Sequence, residues 1–524
     1  MHVPLLVDDF LRRAASLYPG KIAIVDGDLR FTYAEYAERV QRLSNALQTL
    51  GLEQGDRVCI LSPNSHFFME SFYATAQLGL ILVPLNYRLI PEDHEYIINH
   101  AGVKAVLVDY QYVPMIDAIR DRLPAVEHWI VAAYECGDYP GWQDWNTLVA
   151  DASPEPPACP DRDENDLVSI NYTSGTTSRP KGVMLTHRNV YINAYGLIAC
   201  WQIAHNDVTM WTLPMFHCNG WGGVYAFTGM GATHVVVRAI DARVICNIVE
   251  QEKITIACMA PTVLRAILDY DDKATHNFAT SPRFVLAGAP PPAAFIEQLE
   301  EELGWHFLQI YGLTETAPLL TSSQVDFATE KHDYQRRSRA GVPALGVEIR
   351  LLDDDGNLVP RDNQSIGEVC ARSNVVFKGY WEQPEQTELA IRDGFFHTGD
   401  LAIWDELENI HIVDRKKDVI ISGGENISSA DIEDTLYKHP AVMECAVIGV
   451  PHDQWGETPK ALIVVREGTS PTEAEIIAHC RDNMAHFKCP TSVAFVKALP
   501  RTATGKLQKF KLREQYWQGR KVGG

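Results

Sequence analysis

Tyr172-Thr173-Ser174-Gly175-Thr176-Thr177-Ser178-Arg179-Pro180-Lys181-Gly182 sets hydroxyl side chains on both sides of a glycine and closes the run with a lysine. Backbone N–H groups in such loops cradle phosphate, and lysine adds a point charge. The run is not a Walker A loop. Pro180 stands where G-x-x-x-x-G-K-[ST] needs its second glycine. A flexible Ser/Thr linker is the plain alternative. The β-like runs at both ends, Leu167-Val168-Ser169-Ile170-Asn171-Tyr172 before and Val183-Met184-Leu185 after, speak against it.

Outward from the loop, residues 152–165 are rich in proline and acidic side chains and read as a surface connection. Before them, helical and short β-like segments alternate. Phe31-Thr32-Tyr33-Ala34-Glu35 opens a long helix reaching Leu50, and Val58-Cys59-Ile60-Leu61-Ser62 reads as a buried strand. Such alternation predicts parallel sheets covered by helices. Residues 342–372 change character: Val347-Glu348-Ile349-Arg350-Leu351-Leu352 followed by Asp355-Gly356-Asn357 signals a hairpin and a small β-rich subdomain. From about Val419 the strand–helix alternation returns, as a separate small α/β domain.

Composition narrows the function classes. The chain has 524 residues, enough for three to four units at ~100–200 residues each. With 46 basic and 68 acidic residues the formal charge is −22. A phosphate backbone needs a basic surface, so nucleic acid is not the expected partner. No apolar run approaches a membrane span, and Asp8 and Asp9 interrupt any signal-peptide core. Eleven cysteines without a C-x-x-C pair read as reduced thiols in a cytosol, not as disulfides or a zinc site.

Five further motifs follow the loop in order. They are Leu213-Pro214-Met215-Phe216-His217-Cys218-Asn219-Gly220-Trp221; Tyr311-Gly312-Leu313-Thr314-Glu315-Thr316; His397-Thr398-Gly399-Asp400-Leu401; Asp414-Arg415-Lys416-Lys417-Asp418 with Ser422-Gly423-Gly424-Glu425-Asn426; and Pro500-Arg501-Thr502-Ala503-Thr504-Gly505-Lys506. Together they resemble the adenylate-forming superfamily of acyl-CoA synthetases, peptide-synthetase adenylation domains and luciferases, over essentially the whole chain. The branch it most resembles holds the medium-chain, aromatic and methylthio-alkanoate acid ligases. The fold this implies is α/β: an N-terminal domain, residues 1–416, of helix-covered, mostly parallel sheets plus a small β-barrel-like subdomain, and a mobile C-terminal α/β domain, residues 417–524.

The resemblance implies an ATP-dependent acid–CoA ligase that makes an acyl-adenylate, then acyl-CoA, AMP and pyrophosphate. Its substrates would be a carboxylic acid, ATP and CoA, with Mg²⁺ as the metal and a homodimer as the family habit. Adenylation concentrates negative charge and calls for cations and aimed donors. Thr173, Ser174, Gly175, Thr176, Thr177 and Lys181 would hold phosphate. Glu315 would ligate Mg²⁺, a hard oxygen for a hard ion, and Thr314 would donate to the α-phosphate; alone, the Thr-Glu pair reads only as a helix cap. Asp400 and Arg415 would grip the ribose, though an isolated T-G-D is simply a turn. Tyr311 and Gly288, Ala289 and Pro290 would line the adenine. Lys506 would bridge carboxylate and α-phosphate, Gly423 and Gly424 would border the CoA tunnel, and Lys417 would be the hinge.

His217, Asn219, Trp221 and Gly312 would form the acyl pocket, with His217 a gating ring and not a metal ligand. No carboxylate stands nearby to meet an ammonium, which disfavours a free amino acid. Arg336, Arg337 and Arg339 read as a solvated loop, with CoA phosphates the alternative. Three other functions compete: an enzyme loading an acyl carrier protein, a luciferase-type monooxygenase, and a nucleotide sensor without turnover.

Overall fold

A computed structural model describes all residues except 136, 174–178, 288–292, 324–332, 417, 423–424, 453–454, 502–506 and 518–524, with backbone alone at 261, 262, 421, 425, 426 and 487. Two large sheets dominate it. The eight-stranded one runs Gly379–Tyr380, Lys181–Thr186, Leu167–Thr173, Ile81–Pro84, Arg57–Leu61, Val103–Asp109, His128–Ala132, Gln143–Asp144. It is parallel from Leu167–Thr173 to its far edge. The nine-stranded one carries parallel Ile22–Asp26, Thr233–Val236, Val208–Trp211, Ile256–Met259, Arg283–Leu286 and His306–Gly312, with antiparallel strands at both edges.

Helices fill the space between and around them. Helix Tyr33–Thr49 begins at a capping box in which Thr32 accepts from the Glu35 N–H and Glu35 answers to the Thr32 N–H. Helix His66–Gln77 is buried at every residue from His66 to Ala76. A helix covered on all sides belongs inside a layered core; its carboxylate, Glu70, is paired with Arg39 and accepts from Trp145 Nε1 at 3.1 Å, and each of Phe67, Phe68 and Phe72 contributes about 1.5–3 kcal/mol by burial.

The β-rich subdomain is larger than its sequence signal. Val347–Leu352 pairs antiparallel with Gly367–Ser373, which pairs with Phe395–Trp404, and Ile410–Arg415 follows on the far side. The Asp353 carboxylate accepts the N–H groups of Asp355 and Asn357, so the expected turn forms. The chain folds back at once, with Leu352 bridged antiparallel to Leu358 and the Val359 N–H donating to the Leu351 carbonyl at 2.9 Å, and the long partner strand follows at Gly367.

The C-terminal sheet combines Ile420–Ser422, Glu425–Ile427, Val442–His452, Gly456–Val465 and Ser492–Phe495 under helices Ser429–Tyr437 and Glu473–Asn483. It has its own core of Ile420, Ile427, Ile432, Leu436, Val447, Ile463 and Ile476. Polar bonds join it to the rest: the Ser428 hydroxyl donates to the Val413 carbonyl at 2.8 Å, and Asp414 accepts from the Ser429 N–H at 3.0 Å. No described helix is long and apolar enough to cross a membrane.

Candidate active site

The quoted loop joins two antiparallel strands, Leu167–Thr173 and Lys181–Thr186, with Thr173 opposite Lys181. Its stems are therefore a strand–loop–strand, unlike the strand–loop–helix of a Walker A site. Of the expected phosphate contacts, Thr173 and Lys181 stand at these stems. Ser174, Gly175, Thr176 and Thr177 lie outside the described residues, as do Gly288, Ala289, Pro290, Lys417, Gly423, Gly424 and Lys506.

The residues expected at the ribose meet in a corner where strand His306–Gly312 ends. The Tyr311 hydroxyl donates to Asp400 Oδ2 at 2.8 Å. Arg415 Nε lies 3.4 Å from Asp400 Oδ1, and the two residues are ladder partners on neighbouring strands. Burial and then the Asp400 charge push the Tyr311 phenol well above its ordinary range, so it stays a donor. Tyr311 therefore serves the carboxylate directly, a contact that the sequence did not reveal.

Behind Asp400, the Thr398 hydroxyl donates to the Val369 carbonyl (2.8 Å) and accepts the Asp400 N–H (3.1 Å). Glu368 Oε1 accepts the Gly399 N–H at 3.1 Å. Glu368, Cys370 and His397 make the one metal-ligand grouping among the described residues. Arg392 Nη2 sits 3.1 Å from His397 Nδ1, and Lys416 Nζ sits 3.7 Å from Glu368 Oε2. Two cations already supply the charge a metal would bring, so the group acts as a brace for the turn bearing Asp400.

Glu315 sits on the single 3₁₀ turn Thr314–Thr316. Tyr380 donates its hydroxyl to Glu315 Oε1 at 3.0 Å, and Lys181 Nζ lies 4.8 Å from the centre of the Tyr380 ring. Lys181 also donates to Gln386 Oε1 at 2.8 Å. Thr314 is buried, and its carbonyl lies 4.0 Å from Cys218 Sγ. Gly312 has no room for a side chain: an added Cβ would stand 1.6 Å from the Pro318 carbonyl oxygen.

At the turn expected to line the acyl pocket, Cys218, Asn219, Gly220, Trp221 and Gly222 take φ of 47°, 53°, 59°, 57° and 72° in succession. A left-handed turn costs roughly 1–2 kcal/mol at each non-glycine residue. The surroundings hold it in place. Asn219 donates to Ser169 Oγ (2.9 Å), accepts from Asn171 Nδ2 (3.0 Å), and Ser169 donates to Asn171 Oδ1 (2.8 Å). All three side chains are buried. Asn193 Nδ2 donates to the Trp221 carbonyl at 3.1 Å. Burial, then the Glu315 charge, raise the Cys218 thiol, which marks the acyl turn and Glu315 as neighbours. His217 is half-buried at the entry to the turn. Asn219 thus spends its amide on the stem of the phosphate loop, and Trp221 is buried.

The arginine stretch is corrected. Arg337 is not solvated: it is buried and pairs with Glu300, one nitrogen at 2.8 Å from Oε2. Helix Ala293–Leu303 packs over it, which no local charge pattern announces. Tyr380, Ser169, Asn171 and Glu368 were missed. The only local signal for Tyr380 is an aromatic beside Gly379; the others look like ordinary strand residues.

With this geometry in hand, the comparisons define the class. The AMP-binding enzyme family matches residues 11–381, and the AMP-binding enzyme C-terminal domain matches residues 431–506. The chain belongs to the AMP-binding enzyme family, in its class of adenylate-forming acid–CoA ligases. It is 37% identical to 4-hydroxybutyrate–CoA ligase 2 of Metallosphaera sedula, over 98% of this chain and 94% of that one. It is 35% identical to a peroxisomal butyrate–CoA ligase of Arabidopsis thaliana, over 98% and 93%. Among solved structures, an anthranilate–CoA ligase in complex with anthranoyl-AMP superposes with a TM-score of 0.90 at 29% identity, covering 98% of both chains.

Proposed function

We propose that this chain adenylates a carboxylic acid with ATP and passes the acyl group to CoA, with residues 1–416 holding the nucleotide and acid and residues 417–524 turning about Lys417. The observation that supports this best is the joined corner of Tyr311, from the nine-stranded sheet, with Asp400 and Arg415, from the β-rich subdomain, a few residues from Glu315, which Tyr380 links to Lys181 at the loop stem. A carboxylate oxygen of the acid attacks the α-phosphorus, and the bond to pyrophosphate breaks. The CoA sulfur then attacks the acyl carbon, and AMP leaves with the bridging oxygen.

Asp400 accepts the ribose hydroxyls, Arg415 adds a second contact, and Tyr311 keeps Asp400 turned toward them. Thr314, Lys181 and the loop bind phosphate. Lys506 sits between the acid and the α-phosphate in the first step, and Gly423 and Gly424 leave space for pantetheine in the second. Glu315 suits Mg²⁺: it is a carboxylate oxygen donor on a short turn, oriented by a hydroxyl. Bound there, the ion would offset phosphate charge. Cys218, Asn219 and Trp221 carry no charge of their own, and the neighbouring Glu315 is taken up by Mg²⁺ in this reading, which suits a short aliphatic or aromatic acid without an amino group. The reduced-thiol composition favours the cytosol, with the ten described cysteines all free; fractionation decides between it and a peroxisome.

The test is pyrophosphate release with a panel of acids, followed by mass spectrometry of products with and without CoA. Acyl-CoA and AMP are expected; adenylate that CoA leaves untouched, or no pyrophosphate with any acid, overturns the reading. Lys506→Ala should lower acid-plus-ATP adenylation by roughly 10²–10³ while sparing transfer from synthetic acyl-adenylate. Gly424→Leu should do the reverse.

A further inference from the structure

The chain from Phe377 to Trp381 ties together the two charged groups on which the proposed phosphate chemistry rests. At one end the Phe377 N–H donates to the Glu315 carbonyl at 2.8 Å. At the other the Trp381 N–H donates to the Gly182 carbonyl at 2.8 Å, and Tyr380 is the ladder partner of Val183. Between them stands Tyr380. Its N–H donates to Thr387 Oγ1 at 2.9 Å, which holds the backbone, and its ring meets Phe377 edge-on at 4.8 Å. The face of that ring carries Lys181 Nζ at 4.8 Å, and its hydroxyl reaches Glu315 Oε1 at 3.0 Å.

We propose that Tyr380 is a positioning residue: its hydroxyl aims the Glu315 carboxylate and its ring places the Lys181 ammonium, so one side chain sets the spacing of the anionic and cationic arms around the phosphates. The inference rests on the function proposed above. A phenol holds its proton at neutral pH and a carboxylate only accepts, so Tyr380 is the donor in this bond. A carboxylate has about four lone-pair sites, and one bond from a fixed hydroxyl orients it without exhausting it. Residues behind a metal ligand typically change metal affinity by ~10–100-fold. A cation over a ring keeps its position while remaining available to an anion on its other side.

The two arms separate by substitution. Tyr380→Phe keeps the ring and removes the hydroxyl; Tyr380→Leu removes both. Free Mn²⁺ is followed by electron paramagnetic resonance as it is titrated into enzyme holding α,β-methylene-ATP, which cannot be adenylated. Tyr380→Phe should weaken Mn²⁺ roughly tenfold and leave the affinity for the analogue in EDTA unchanged. Tyr380→Leu should lower that metal-free affinity as well. Glu315→Gln should weaken Mn²⁺ alone, and adding Tyr380→Phe to it should weaken Mn²⁺ no further, because the hydroxyl acts through the carboxylate. Thermal unfolding confirms that each variant is folded. Unchanged Mn²⁺ affinity in Tyr380→Phe, or additive losses in the double variant, overturns the positioning role and leaves the ligase reading standing. Wild-type enzyme that binds neither the analogue nor Mn²⁺ overturns both.

Discussion

The corner of Tyr311, Asp400 and Arg415, proposed for the ribose, and the turn Cys218–Gly222, proposed for the acyl group, are held by opposite means. At the corner, the backbone places the groups: Asp400 and Arg415 are ladder partners, and Tyr311 ends a strand. The side chains only finish the arrangement. At the acyl turn the backbone is itself unfavourable, with five successive positive φ values, and side chains hold it there. Trp211 presses on Gly220, Asn219 is locked to Ser169 and Asn171, and Asn193 holds the Trp221 carbonyl. A site whose shape comes from a ladder tolerates a changed side chain. A site whose shape comes from side chains does not.

Four experiments sharpen or break this contrast. Gly220→Ala should have the largest effect. A Cβ there would stand 2.5 Å from Trp211 Cζ3 at a φ of 59°, so overpacking and backbone strain add to about 3–4 kcal/mol, read as a lowered urea midpoint. A loss below about 1 kcal/mol would mean that the turn is not braced by Trp211. Asn219→Ala comes next. It leaves Ser169 and Asn171 buried without their amide partner and should cost about 2–3 kcal/mol. Asn219→Asp, which keeps the shape but replaces the amide donor, should rescue little.

His234 supplies a pH test of the same brace. It is fully buried, and Trp211 Nε1 donates to its Nδ1 at 3.1 Å while Nε2 meets Thr228 Oγ1 at 3.0 Å. An indole N–H only donates, so Nδ1 must accept and the ring must stay neutral. Burial lowers its pKa to about 3. The unfolded chain therefore takes up the proton first, near pH 6.5, and the folded chain only near 3. Stability is full above about pH 6.5 and falls as pH drops through that window, by about 2 kcal/mol at pH 5 from this group. His234→Gln, which offers an acceptor and a donor without titrating, should flatten that part of the stability profile. An unaltered slope would remove His234 from the brace.

Asp400→Asn should have the smallest effect on stability, under about 1 kcal/mol, because the ladder around it is backbone. Nucleotide affinity should nevertheless drop roughly tenfold, since bonds to a charged group are the stronger ones. Calorimetry with AMP measures the affinity and urea unfolding the stability. A large loss of stability with unchanged AMP binding would reverse the roles assigned to the two regions.

Much of the molecule was legible from local pattern. The capping box at Thr32 and Glu35, the strand at residues 57–61 and the β-rich run from Val347 are each written in residues close together in sequence. The partnership of Asp400 with Arg415 was legible only as a resemblance, because the bonding residues stand on two strands whose register a sequence does not state. Tyr380 was not legible at all. A tyrosine beside a glycine has no local reason to meet Glu315, and it does so only because strand Gly379–Tyr380 adds to the edge of the sheet beside Lys181. Arg337 fails in the same way, since its partner Glu300 comes from a helix earlier in the chain.

By itself the sequence determined which chemistry the chain carries. The loop of hydroxyls with its lysine, the glycine at 312 and the acid at 315 are choices of residue type, and residue type sets charge, donors and allowed backbone. It also determined the alternation that forces helix-covered parallel sheets, because an apolar period is a property of neighbours in sequence. Only the tertiary structure decided which groups act together. Hydrogen bonds and ion pairs reach about 3 Å, and the partners here, Tyr311 with Asp400, Asn219 with Ser169, Tyr380 with Glu315, are separated by tens of residues of chain. Bringing them within that reach is the work of sheet order, strand register and a strained turn, and those are fixed by the packing of the whole core.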